Sequence, residues 1–202
     1  MKLYYDELEI ANPLGSKKGI HKLGAFYFAI MNLPAHMNAD LNSIHVLAIC
    51  HDYDAKKYGF DRILARFRYD LDRLESDEGV KTFLDGYGEY TLRATIAAFC
   101  GDTAGVHDVL NLLAAAANHF CRVCRITRNE LLSNDLKEKE LMSEEVYSQL
   151  IDVLKNANFS AKAKTQTGLN GECCLNSRYF HLSRNMNFDP MHDIFCSGGV
   201  GQ

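Results

Sequence analysis

Two carboxylates far apart in the chain share a setting suited to metal chemistry. Residues 91–105 form a β-prone apolar run that reaches Asp102 and passes at once into a helix pattern. In strand-then-helix folds, ligands and metals gather at the carboxyl ends of buried strands. Asp6 stands inside the first strand-like run, Met1 to Asp6. Carboxylates on neighbouring strands, about 4.8 Å apart, can hold two divalent ions about 3.5–4 Å from each other for phosphodiester cleavage. Mg²⁺ or Mn²⁺ suits such oxygen ligands, and a third carboxylate is expected from a late helix. A plainer reading stays open: an Asp near a strand end also serves as a turn former, and Gly101 to Gly105 is a serviceable helix entry without chemistry.

The cysteines offer a second chemistry. Cys121 and Cys124 form a C-x-x-C turn, with Cys173, Cys174 and His181 downstream. Two thiolates from a tight turn, one further Cys and His181 would complete a tetrahedral zinc site with bonds of about 2.0–2.3 Å. Adjacent Cys173 and Cys174 point different ways, so only one of them ligates; either can, and Cys173 is taken as the ligand. Unrelated free thiols are the alternative. A redox role is disfavoured because the turn does not follow a thioredoxin-type strand. The other histidines are scattered. Lys17, Lys18, His21 and Lys22 make a small basic patch that suits either a phosphate backbone or a solvated loop.

These residues sit in a chain of 202 residues with 47% hydrophobic content and a formal charge of −4. That length suggests one domain, with room for an insertion, and the composition is not that of a disordered chain. A mildly acidic balance argues against a tight, self-sufficient grip on nucleic acid. No apolar run reaches the roughly 18 residues of a membrane span, and the N-terminus lacks a signal peptide's apolar centre. The expectation is an intracellular protein, nuclear or cytoplasmic, without a membrane partner. Its seven cysteines are then thiols or metal ligands rather than disulfides. Both chain ends read as cut from something longer.

Strands are predicted over Lys2–Ile10, Leu23–Leu33 and Ser43–Cys50, with short links that suit antiparallel neighbours. Ile63, Leu64, Phe67, Leu71 and Leu74 recur at helical spacing over Phe60–Glu75. Residues 80–95 read as a hairpin turning at Asp85-Gly86 or Tyr87-Gly88, its second arm running on into the strand that ends at Asp102. A helix over Val106–Asn118 follows, with Thr103 as candidate N-cap. Beyond Cys124 the chain turns polar. A short helix after Ser143 carries Val146, Leu150 and Leu154, and 157–171 reads as loose. The expected organisation is a partial core over 1–120, a Cys/His-bearing insertion over 121–182 that lacks a core of its own, and a truncated return to the core over 183–202. The expected fold class is α/β (α+β): a mixed sheet with three antiparallel strands first, a crossover helix, flanking helices and a Cys-rich insertion, as in ribonuclease H-like folds.

Several stretches also carry a family resemblance. Leu3 to Ser16, His21 to Gly24, Asn32 to Pro34, Lys57 to Phe60, Leu74 to Val80, Tyr90 to Arg93, Gly101-Asp102, Cys121 to Cys124, Tyr179 to His181 and Met191 to Asp193 together resemble transposase-like proteins of animal genomes. These are distantly similar to the plant CACTA-superfamily transposases. The resemblance implies a ribonuclease H-like DDE/D core that cuts and joins DNA with two metal ions. Asp6 matches the first acidic position and Asp102 the second. The C-x-x-C turn with Cys173 and His181 matches a cysteine-bearing insertion. The family pattern after Met-His-Asp reaches a Glu, where this chain has Cys196. Asp193 is the substitute nearest that position, about one helical turn earlier.

Four functions follow as expectations. The first is a transposon-derived fragment without catalysis, its DNA binding weak or lost. The second is an active metal-dependent nuclease or transposase using Asp6, Asp102 and Asp193 with Mg²⁺ or Mn²⁺. The third is a non-enzymatic, zinc-stabilised module for protein or DNA. The fourth is an unrelated α/β domain.

Overall fold

The computed structural model describes residues 1–10, 22–38, 40–133 and 138–188. Asp193, Cys196, the patch residues Lys17, Lys18 and His21, and the expected return to the core beyond residue 188 lie outside them. The chain is a mixed α+β protein that divides into two compact units, one of Met1–Cys100 with Asn176–Phe180, the other of Gly101–Leu175 with His181–Gln202. The division falls at Cys100/Gly101, not at 120/121.

The first unit is built on a four-stranded sheet in the order β3-β2-β1-β6. Strands β1 (Lys2–Glu9), β2 (Lys22–Ala29) and β3 (Ile44–His51) are antiparallel neighbours, with Asp6 opposite Ala25 and Leu23 opposite His51. The register between β2 and β3 shifts at Phe26/Tyr27, as a β-bulge does. Strand β6 (Ala98–Gly101) joins the other side of β1. Its approach is parallel: the Met1 amino group donates to the Thr95 carbonyl at 2.6 Å, and the Ala97 amide donates to the Met1 carbonyl at 2.7 Å, the slanted pattern of parallel pairing.

Leu3, Tyr5, Phe26, Phe60, Leu64 and Leu71 are buried, with Tyr5, Phe26 and Phe60 in mutual ring contact. The helices of this unit are α1 (Ala35–Asn38), α2 (Asp52–Tyr58), α3 (Phe60–Ile63) and α4 (Ala65–Glu75). The expected helix over 60–75 is thus two pieces, α3 and α4, that meet at Leu64.

Strands β4 (Val80–Leu84) and β5 (Gly88–Leu92) form the predicted hairpin as a separate two-stranded sheet. The Tyr87 amide donates to the Leu84 carbonyl at 3.0 Å, and Gly86 and Gly88 have positive φ, where glycine carries no steric penalty. The second arm does not run on to Asp102 as expected. Strand β5 stops at Leu92. The link that follows is pinned to the end of α4 by Ala94 to the Leu74 carbonyl and Thr95 to Glu75.

The second unit holds α5 (Thr103–Val109), α6 (Arg128–Leu132), α7 (Glu144–Asn156), α8 (Ala161–Thr167) and α9 (Leu182–Asn185). Helix α5 is shorter than its apolar stripe predicts. Asn111 turns left-handed at φ 57, a conformation that Asn tolerates better than most residues. The chain beyond it pairs elsewhere, with Leu112 bridging Leu169 and the Leu113 amide on the Gly168 carbonyl at 2.9 Å. The polar stretch 157–171 is not loose. Ser160 caps α8 and Gly168 ends it in the left-handed region, a paired start and stop that composition conceals. The Cys/His-bearing stretch also has apolar content of its own: Met142, Tyr147, Ile151, Leu154, Leu169 and Leu175 are buried. It does not need a metal to supply a core.

Candidate functional site

Asp6 lies on β1 with its side chain exposed. Alternation along the strand puts it on the face opposite Leu3 and Tyr5. On Asp6's face, Tyr4 stacks on Tyr27 with ring centroids 5.0 Å apart, and Val46 and Ile49 are largely exposed. Asp102 follows β6 and is the N-cap of α5, its Oδ1 accepting the Gly105 amide at 2.6 Å. Thr103, the predicted cap, is the first helical residue instead. An Asp accepts such a bond well because its carboxylate also meets the positive end of the helix dipole. Asp102 therefore has a local structural task whatever else it does.

The cysteine set divides. Cys121 Sγ and Cys124 Sγ are 3.5 Å apart, both partly exposed. Burial pushes the Cys124 thiol above its usual range. Cys173 is buried, and its amide donates to the Tyr147 hydroxyl at 2.7 Å. The Tyr147 ring meets His181 edge-on at 5.2 Å, and burial pushes its hydroxyl far above the normal range. His181 is committed locally: it caps α9, with Nδ1 accepting the Ser183 amide at 3.2 Å. Burial lowers its pKa and favours the neutral ring. Among the described residues, no group of three or more His, Cys, Asp or Glu side chains is placed to hold a metal ion. The predicted zinc set of Cys121, Cys124, Cys173 and His181 is therefore not gathered. All six described cysteines are free thiols.

Two carboxylates in the first unit carried no warning in the sequence. Glu75 closes α4 and is 5% exposed. Its Oε1 accepts Thr95 Oγ1 at 2.6 Å and Ser177 Oγ at 2.9 Å, and its Oε2 accepts the Arg178 amide at 3.1 Å. It forms part of an open cleft of about 190 Å³ with Leu74, Ser76, Arg93, Thr95 and Tyr179. Asp52, in the first turn of α2, is 9% exposed. Its Oδ2 pairs with Lys56 at 2.9 Å, while its Oδ1 is buried without a hydrogen bond. Of the predicted basic patch, Lys22 is described, and it is paired with Glu7.

No protein-family model matches the chain, and no curated protein matches it either. Among the described residues, no helix is long and apolar enough to cross a membrane.

Proposed function

We propose that the chain is a transposon-derived relative of ribonuclease H-like DDE/D transposases that has lost strand cleavage. The observation that carries this reading is the sheet: three consecutive antiparallel strands, with β6 joining β1 in parallel on the far side. Asp6 lies on β1 and Asp102 directly follows β6. The two acidic positions of the resemblance thus fall on β1 and just past β6, the edge strand that pairs with β1.

One position argues for lost catalysis. The third acidic position of the resemblance is Cys196, and a thiol is a poor ligand for Mg²⁺, which prefers oxygen. Two-metal cleavage depends on metal positioning and charge neutralisation, so losing one carboxylate removes much of what the protein supplies. The formal charge of −4 supports weak DNA association, with protein partners as the route to any host role.

Paramagnetic NMR and a nicking assay test the reading together. Titrated Mn²⁺ is expected to broaden the resonances of Asp6 on β1, while supercoiled DNA stays intact. No broadening at Asp6 overturns the ribonuclease H-like reading. Mn²⁺-dependent nicking that disappears in Asp102→Asn, a variant that keeps a capping oxygen for α5, overturns the claim of inactivity.

A further inference from the structure

The turn from Cys121 to Cys124 carries more than two neighbouring thiols. The Val123 amide donates to Cys121 Sγ at 3.5 Å, and the Cys124 thiol donates to the same sulfur at 3.5 Å. The turn is held from outside by strand-like pairing. Cys124 bridges Leu141, the Arg125 amide donates to the Glu140 carbonyl at 3.0 Å, and the Met142 amide donates to the Val123 carbonyl at 2.8 Å. The two sulfurs therefore have a fixed separation before any ion arrives.

That separation fits a metal. Zinc–thiolate bonds of about 2.3 Å at a tetrahedral angle put two sulfurs about 3.8 Å apart. The observed 3.5 Å corresponds to an S–metal–S angle of about 100° at the same bond length. A disulfide would need about 2.05 Å, a much larger closure.

A third donor lies in the adjoining wall. His119 and Cys121 both line a cavity of about 10 Å³, and His119 Nδ1 is buried without a hydrogen-bond partner. A buried ring nitrogen left unsatisfied is costly, and coordination would satisfy it. The imidazole and the thiols are not yet a cluster, so the ring must rotate toward the sulfurs.

We propose that Cys121, Cys124 and His119 form a binding site for one zinc-class ion, independent of Cys173 and His181, with the fourth position open to water or an external donor. This site lies wholly within the second unit and does not depend on the fate of Asp6 and Asp102.

Cobalt substitution reads the site directly. Protein purified under reducing conditions is stripped of metal and titrated with Co²⁺, following the thiolate-to-cobalt charge-transfer absorption, and then with Zn²⁺ in competition. The expected result is one ion per chain, displaced by Zn²⁺. Cys121→Ser and Cys124→Ser abolish the charge-transfer band, and His119→Ala weakens affinity at least tenfold. Cys173→Ser and His181→Ala leave the titration unchanged. Thiol labelling of the native protein gives a second measure that needs no variant: Zn²⁺ protects two thiols per chain, located by peptide mapping at 121 and 124. No uptake, uptake that survives both serine variants, or loss of uptake in Cys173→Ser or His181→Ala overturns the proposal.

Discussion

Replacing Glu75 with glutamine tests how far one buried carboxylate holds the first unit together. Glu75 is 5% exposed and takes three hydrogen bonds, from Thr95, Ser177 and Arg178. Two of those donors come from the segment 176–180, which Arg68 also ties to α4 through the Asn176 carbonyl at 2.5 Å. Glutamine is nearly isosteric but has one oxygen. With that oxygen toward Thr95 and Ser177, its NH₂ faces the Arg178 amide, and a donor meets a donor.

Leaving a buried donor unsatisfied costs about 1–3 kcal/mol. Glu75→Ala loses both acceptor oxygens and all three hydrogen bonds and should cost about 3–5 kcal/mol, at the high end for single substitutions. With a urea slope near 2 kcal/mol/M, the glutamine variant should lower the midpoint by about 1 M. The chain has no Trp, so circular dichroism follows the transition. Because two units need not unfold together, hydrogen exchange of the Arg178 amide gives the local readout and should accelerate. Asp77→Asn is the control. Its ion pair with Arg178 is exposed on both sides, and such a pair contributes about 0–1 kcal/mol. If Glu75→Gln and Glu75→Ala both stay within about 0.5 kcal/mol of the native chain, with Arg178 exchange unchanged, the assigned role of Glu75 is wrong.

Gly24→Ala should destabilise by about 1–3 kcal/mol in the same urea assay, because the new methyl would lie 2.5 Å from the hydroxyl of Tyr5, which is itself buried. Asp102→Ala should cost about 1 kcal/mol through the lost α5 cap while Asp102→Asn costs much less, and equal losses in thermal melts would show that the cap is not what Asp102 supplies. Tyr147→Phe should cost about 1–2 kcal/mol by stranding the Cys173 amide, read from chemical denaturation. The Glu130 carboxyl is held down at about 2 by Lys139 first and then by the Thr127 cap. Its folded value is below its unfolded one, so its contribution is present above about pH 4.3 and is lost as pH falls toward 2. Carboxyl NMR titration should place its midpoint well below those of exposed glutamates, and Lys139→Met should raise it.

The strands were legible because β2 and β3 are largely apolar runs and β1 sets Leu3 and Tyr5 at strand spacing before a breaker-rich turn, and the hairpin because its glycines permit positive φ. Helix α2 was missed because only Asp52 and Ala55 turn inward, too few to make a stripe. Helix α8 was missed for the same reason, with Ala163 and Thr167 alone buried. The stripe beyond Val109 misled because pairing with 168–170 overrode helix propensity. The C-x-x-C pair could be read from spacing, since three residues in a turn guarantee proximity. The positions of Cys173 and His181 depend on how α7 and α9 pack, which no local pattern encodes. Glu75 left no trace either: the last acid of a charged helix reads as solvated until the segment 176–180 closes over it.

The β4–β5 hairpin has a practical use. Nearly every side chain along both arms faces water, and its bend carries two glycines in conformations that L-residues avoid. Exposed tips of this kind accept foreign sequence with little penalty to the rest of a domain. A short epitope or fluorophore-attachment peptide spliced between Asp85 and Gly86 would report on the living molecule while leaving the four-stranded sheet and both termini untouched.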